Sequence, residues 1–424
     1  MIPATRRFLK APGPEVELLL CCARVRLEPD TAERIRELLR RDLDWAHLIR
    51  TAREHGTVPL LYWNLNLASP EVDAEGPGRE LRSHFQANAS RTLLLTDELR
   101  KLLRLFESHG IPAVAFKGPA LAASVYGNLA LRQAGDLDVL VQPDHLEAAK
   151  QLLLENGFRL TQHDWARAQV REMASLRRLA QYNVVFSFPK EVAVLELHWA
   201  IGPTFFWLPK NPGWLWDGLQ TEKTAWGSAL GFAPENTLLA LCVHGSKHQW
   251  ERLSWICDVA EFVRVHSLLD WRKLLDRAAQ LRCERMVLLG LLLAQDLLGS
   301  VLPPCARERL ARDTVVDRLA ALVCDRLFDR TVHSGRWGRN RFTTLSISLD
   351  YIAYCLRLQE RLVAKLHGGL SFLRLAWHPT PQDREFLRLP ERLSFLYYLF
   401  RPVRLAGTYT LRLATLSERV RKRG

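Results

Sequence analysis

Asp136 and Asp138 stand one residue apart in a segment, Asp136 to Val141, that alternates charge and bulk as a strand does. A period of two puts both carboxylates on one face, with Leu137, Val139 and Leu140 as apolar neighbours. Two like charges that close on a half-buried strand are costly unless a cation sits between them. Mg²⁺ suits the place, because it takes one or two carboxylates together with substrate phosphates; Mn²⁺ is the alternative ion. The competing reading is a surface strand with two solvated aspartates, since Asp-x-Asp is common. Two-metal phosphoryl chemistry calls for a third carboxylate opposite the pair. Glu196 is the candidate, on a strand Val192 to Trp199 where Val194 and His198 share its face. A charge on the open face of a hairpin is the alternative for Glu196, and a merely packed ring the alternative to phosphate or metal contact for His198.

The elements that must position these groups are legible nearby. Ile111 to Phe116 is a short apolar run with β-branched residues, which predicts a buried strand closed by Gly118. Pro119 to Tyr126 suits a helix, proline being favoured at the first helical position. Lys117 and Gly118 therefore sit at a strand-to-helix turn, where backbone amides and the helix dipole favour phosphate and lysine adds a point charge. Between Gly118 and Asp136 there is room for one helix and a returning strand, with Arg132 as a further phosphate contact. Asp144 can cap a helix running to Gly157. Tyr182 to Phe188 and Val192 to Trp199 then form a hairpin around Pro189-Lys190-Glu191.

Helical periodicity surrounds this core. Thr31 to Leu65, with a break at Pro59, and Glu80 to His109 read as helical, with a turn or short linker at Asp73 to Pro77. Trp207 to Phe232 reads as an irregular connection, and helices resume at Glu235 to Gln249, Ser254 to His266, Trp271 to Leu281 and Met286 to Leu298. The expected organisation is a helical N-terminal region (1–94), an α+β core (95–232), a helical domain closing the site (233–330) and a basic helical C-terminal region (331–424), with a break at Gly335 to Arg341. His244, Lys247 and His248 share a helix face, and with Asp258 they form a possible second-domain site. It is either a metal cluster or, more simply, a wall over the nucleotide or acceptor, because zinc needs three or four converging ligands. The aromatic residues from Phe205 to Trp216 either stack a base or pack on the core. Leu393 to Phe400 is apolar between arginines; internal burial is the expectation and a membrane surface the alternative.

The formal charge of +13 favours anionic partners, nucleotide or nucleic acid among them. No recognised RNA-binding module accompanies it. Eight cysteines with no CxxC pair read as buried thiols in a reducing cytoplasm. Prolines and glutamates within the first twenty residues argue against a secretion signal, and no stretch reads as a transmembrane segment.

The segment Phe116-Lys117-Gly118-Pro119-Ala120, Arg132, Asp136-Leu137-Asp138-Val139-Leu140-Val141, Asn156-Gly157-Phe158 and Glu196-Leu197-His198-Trp199 resembles the uncharacterised nucleotidyltransferase family of bacteria, a branch of the DNA polymerase β-like superfamily. The likeness continues through Cys242 to His248 and Leu253 to Asp258, and covers roughly residues 95 to 330. It implies an α+β fold: a small mixed sheet with flanking helices, embedded between helical N- and C-terminal regions. It also implies NTP as donor and a divalent cation on the Asp136/Asp138 pair plus a later acid, for which Glu196 stands. The expected activity moves NMP from NTP to a hydroxyl acceptor and releases pyrophosphate. Lys117, Gly118, Arg132 and His198 would meet the nucleotide. Where the superfamily commonly has Gly-Ser, this chain has Lys117-Gly118-Pro119. That departure keeps a catalytically inactive nucleotide-binding scaffold as one alternative; a tRNA- or RNA-directed nucleotidyltransferase, suggested by the charge, is the other.

Overall fold

The structure is a computed structural model that describes residues 6–9, 12–74, 76–161, 182–189, 193–209, 213–224, 227–329, 349–377, 383, 386–387, 389–401 and 403–404. The expected break at Gly335 to Arg341 and the hairpin tip at Lys190-Glu191 lie outside the described residues.

Four helices lead in: α1 (Pro14–Cys22), α2 (Pro29–Leu39), α3 (Trp45–Glu54) and α4 (Val58–Ala68). Three of them open with proline in the first turn, where its missing N–H costs nothing. Asp44 caps α3 by accepting from the His47 amide. Where a turn or short linker is expected, at Asp73 to Pro77, the chain makes a 3₁₀ turn, Pro70–Ala74, and the long helix α5 (Gly76–Ser108) comes next. Pro77 falls in the first turn of α5, where it does not break the helix.

The sheet follows. β1 (Ala113–Ala115) leads through a short turn α6 (Pro119–Leu121) and a π-helical turn (Ala122–Tyr126) to β2 (Leu137–Val141). Next come α7 (Leu146–Glu155), β3 (Arg159–Leu160), β4 (Asn183–Ser187) and β5 (Val194–His198). Their order is β1-β2-β5-β4-β3, with β2 and β5 parallel and the other neighbours antiparallel. This is a small mixed sheet in a mostly helical protein, as an α+β reading requires. Asp144 does not cap α7: it sits inside a 3₁₀ turn (Pro143–His145), and His145 takes the cap position without a side-chain bond.

The segment expected to be irregular, Trp207 to Phe232, holds a short helix α8 (Gly213–Trp216) and a second hairpin, β6 (Gln220–Thr224) with β7 (Gly227–Gly231). Gly227, Gly231 and polar β6 residues hide these strands, because they lack the apolar alternation that marks a half-buried strand. The helices after it are α9 (Pro234–Lys247), α10 (Leu253–Val265), α11 (Trp271–Gln280), α12 (Glu284–Leu298), α13 (Pro304–Arg312) and α14 (Thr314–Leu327), then α15 (Leu349–Leu358) and α16 (Leu362–Trp377).

Strand alternation sorts two cores. Leu137, Val139 and Val141 with Leu195 and Leu197 pack against Leu95, Leu99 and Phe106 of α5 and Leu152 and Leu153 of α7. Leu140 turns the opposite way, into a larger cluster with Phe116, Tyr126 and the helices α9 to α12. Asp138, Glu196 and His198 share that second face by parity, so they point towards the helical part.

Among the described residues, no helix is long and apolar enough to cross a membrane. All eight cysteines are free thiols, seven of them buried. The expected internal burial of Leu393 to Phe400 fails in part. Tyr397 is buried and donates its hydroxyl to the Leu387 carbonyl, but Leu393, Phe395 and Leu399 are exposed.

Candidate active site

Parallel pairing aligns Asp138 with Glu196 and Leu140 with His198 across β2 and β5. Residues so paired carry their side chains on the same face, which brings the two carboxylates together. One ligand atom each from Asp138, Glu196 and His198 lie within 4.8 Å of one another. His198 Nε2 is 3.0 Å from Asp138 Oδ1 and 3.3 Å from Glu196 Oε2. On the other side of β5, Asn183 Nδ2 donates to Glu196 Oε2 at 2.8 Å. Asp136 lies just before β2 rather than in it, half-buried, so the strand begins one residue later than the alternation suggests.

Lys117 does not point into solvent. Its ammonium sits 2.5 Å from Asp138 Oδ1 and 3.2 Å from His244 Nδ1. The turn that aims it depends on Gly118, whose φ of +60° and ψ of −134° are open to glycine alone. A Cβ there would also come within 3.2 Å of the Asp136 carbonyl oxygen, so the turn and the start of β2 are mutually fitted.

Electrostatics divide the carboxylates. For Asp138, burial alone would raise the pKa, but Lys117 and the His198 hydrogen bond outweigh it and hold the group well below the usual range. Glu196 is lowered too, with burial overcome chiefly by the bond from His198. Burial and the charges of Asp138 and Glu196 push Asp136 up to about 6. A carboxyl whose folded pKa exceeds its unfolded one loses stability as pH rises through that interval. The Asp136 carboxylate therefore carries an energetic penalty at neutral pH, which a cation placed against it would relieve.

A divalent cation fits this donor set. Asp138 and Glu196 supply hard oxygens side by side, and Asp136 supplies a further charge held at a cost. His198 Nδ1 is buried without a hydrogen-bond partner among the described residues, so the polar contacts that orient the ring are those of Nε2 with the two carboxylates.

A family described as uncharacterised nucleotidyltransferase matches residues 41–299, more than half of the chain. The chain belongs to that family. No curated protein and no solved structure matches it. The family match begins further towards the N-terminus than the motifs, which are visible only from about residue 95, and it ends nearer than 330. It thus takes in α3 to α12, both the sheet and the helices packed on its charged face.

Those helices carry the remaining candidates, and they part company. Arg132 makes a two-pronged pair with Asp258 of α10, Nε to Oδ1 and a terminal nitrogen to Oδ2, both at 2.8 Å. Tyr126 also donates to Asp258 Oδ1 at 2.7 Å, and the other Arg132 terminal nitrogen lies 3.4 Å from the Gly118 carbonyl. Burial would weaken the guanidinium, yet Asp258 raises its pKa further. Arg132 is a strut between the Gly118 turn and α10. His244 joins the site through Lys117; burial and that ammonium drive its pKa well down, so it faces Lys117 as a neutral acceptor. Lys247 turns instead to the Tyr182 hydroxyl at 2.6 Å. His248 packs with Trp255, ring centres 4.9 Å apart, and His244 lies 5.3 Å from the same indole. His244, Lys247, His248 and Asp258 thus turn to separate partners, and the group that could hold a metal among the described residues is Asp138, Glu196 and His198 on the sheet.

Sequence reasoning missed Asn183, Tyr182, Tyr126 and Trp255. The hairpin register would have found the first, because Asn183 pairs with His198 across β4 and β5. Tyr126 and Trp255 carry no signal beyond helical spacing.

Proposed function

We propose that the protein transfers a nucleoside monophosphate from NTP to an acceptor hydroxyl and releases pyrophosphate. The observation that carries this is the alignment of Asp138 with Glu196 on adjacent parallel strands, beside Asp136 and next to the Lys117-Gly118 turn. Asp138 and Glu196 would hold Mg²⁺, or Mn²⁺ in its place, with Asp136 adding charge. Such an ion supplies Lewis acidity at the α-phosphoryl oxygens and neutralises charge in the transition state. In the transfer, the acceptor oxygen forms a bond to the α-phosphorus and the bond from that phosphorus to the α–β bridging oxygen breaks. The acceptor proton passes to Glu196 or to water. Lys117, beside the Gly118 turn, would meet the negative charge of the departing pyrophosphate. Arg132 keeps the turn in place through Asp258 rather than touching phosphate.

A catalytically inactive nucleotide-binding scaffold is the second reading, and one contact favours it. The Lys117 ammonium already neutralises Asp138 by pairing with its Oδ1. The two readings separate in one assay. With Mg²⁺ or Mn²⁺ and NTP labelled at the α- or the γ-phosphate, transfer predicts pyrophosphate release and α-label, never γ-label, on an acceptor or on the protein's own hydroxyls. Divalent-dependent NTP binding without pyrophosphate across a broad acceptor panel would establish the scaffold instead.

A further inference from the structure

Helix α16 is packed back to front. Its inward side is made of three small residues, Ala364, Gly368 and Ser371, and one large one, Phe372, all buried. Phe372 packs on Phe205 with ring centres 4.8 Å apart, and a Cβ on Gly368 would come 3.3 Å from the Phe205 carbonyl oxygen. The large aliphatic residues point outward. Leu362, Leu366, Leu370, Leu373 and Trp377 are 54–71% exposed. At 100° per residue these five fall within an arc of about 80°, a continuous stripe along a helix of about 24 Å. Isolated exposed leucines need no explanation, but a stripe of five does.

The charges on the helix and at the residue just before it are of one sign. Lys365 lies on one flank and Arg374 on the other, Arg361 precedes the helix, and all three are exposed. No acidic residue occurs from 361 to 377. We infer that the outward face of α16 docks in the plane of an anionic lipid bilayer, with the five apolar side chains in the acyl boundary and the cations at the headgroups. Lysine and arginine flanking an apolar face reach headgroup phosphates with their charged ends while their stems stay among the lipids. Tryptophan at the end of the stripe suits the interface for the same reason. Pairing of two copies through this face is disfavoured: an antiparallel pair would set Arg361 and Lys365 against Arg374 with no carboxylate on the helix to offset them. The helix is too short and too charged to span, so the mode is peripheral.

Flotation of the full-length protein with phosphatidylcholine vesicles, with and without phosphatidylglycerol, tests this. Binding is expected only to the anionic vesicles and should weaken as salt rises, because surface attraction is screened. Leu366→Asp with Leu370→Asp should lower partitioning at least about tenfold while leaving the melting temperature unchanged, since both side chains already face water. Lys365→Glu with Arg374→Glu should lower it by a similar factor. Failure of the intact chain to float with anionic vesicles, or equal flotation of the Leu366/Leu370 variant, would overturn the inference. So would a solution dimer that this variant splits, which would assign the stripe to self-association.

Discussion

Asp138→Asn is expected to lower nucleotidyl transfer about a thousandfold and, in the metal-free protein, to weaken the fold as well. The catalytic part follows from the metal: a carboxylate ligand supports several kcal/mol of charge stabilisation, and each 1.36 kcal/mol is tenfold in rate. The stability part follows from what Asp138 touches. Its Oδ1 holds the buried Lys117 ammonium and the His198 ring, and asparagine keeps the volume but not the charge. Removing one partner of a buried ion pair costs about 3–5 kcal/mol; the low end applies here because Asp136 and Glu196 remain near Lys117. Sequence alone suggests a fold left intact by this substitution, since it removes the charge but not the volume. Denaturant melts and pyrophosphate assays on Asp138→Asn, Lys117→Met and the double variant separate the effects. The double variant should recover much of the stability and none of the activity. Wild-type activity in Asp138→Asn would remove the metal assignment.

Arg132→Leu should be the most destabilising single change at the site, by about 3–5 kcal/mol, because it strands the buried Asp258 carboxylate with only the Tyr126 hydroxyl. The fork geometry matters, so Arg132→Lys should recover only part of the loss. The Gly118 turn also loses its strut, and the folded fraction should show a lower kcat. Chemical denaturation at saturating and zero NTP checks this. An unchanged midpoint with a raised KM for NTP would instead make Arg132 a phosphate contact.

How much of this was legible depends on the range of each interaction. The strand-turn-helix-strand order around Lys117, Gly118 and Asp138 is written in local pattern, and the sequence places those elements to within a residue or two. Glu196 opposite Asp138 was reachable by reasoning about a third acid, although only the parallel register puts the pair on one level. The contacts of Lys117 with His244 and of Arg132 with Asp258 span more than a hundred residues. Spacing says nothing about such pairs, so the fork between Arg132 and Asp258 is not readable from the sequence. The inverted packing of α16 was hidden for another reason. Its apolar residues run nearly all round the helix, and only the small residues on one side reveal which face turns inward.

The most direct test is a crystal structure with Mn²⁺ and an NTP analogue that cannot be cleaved between the α- and β-phosphorus, read by the anomalous signal of the metal. The proposed transfer predicts a Mn²⁺ peak against the carboxylates of Asp138 and Glu196, with the nucleotide beside it. It also predicts that the Lys117 ammonium leaves Asp138 for the β- and γ-phosphates. A nucleotide bound elsewhere, or a Lys117–Asp138 pair that persists with no metal on the sheet, would contradict it.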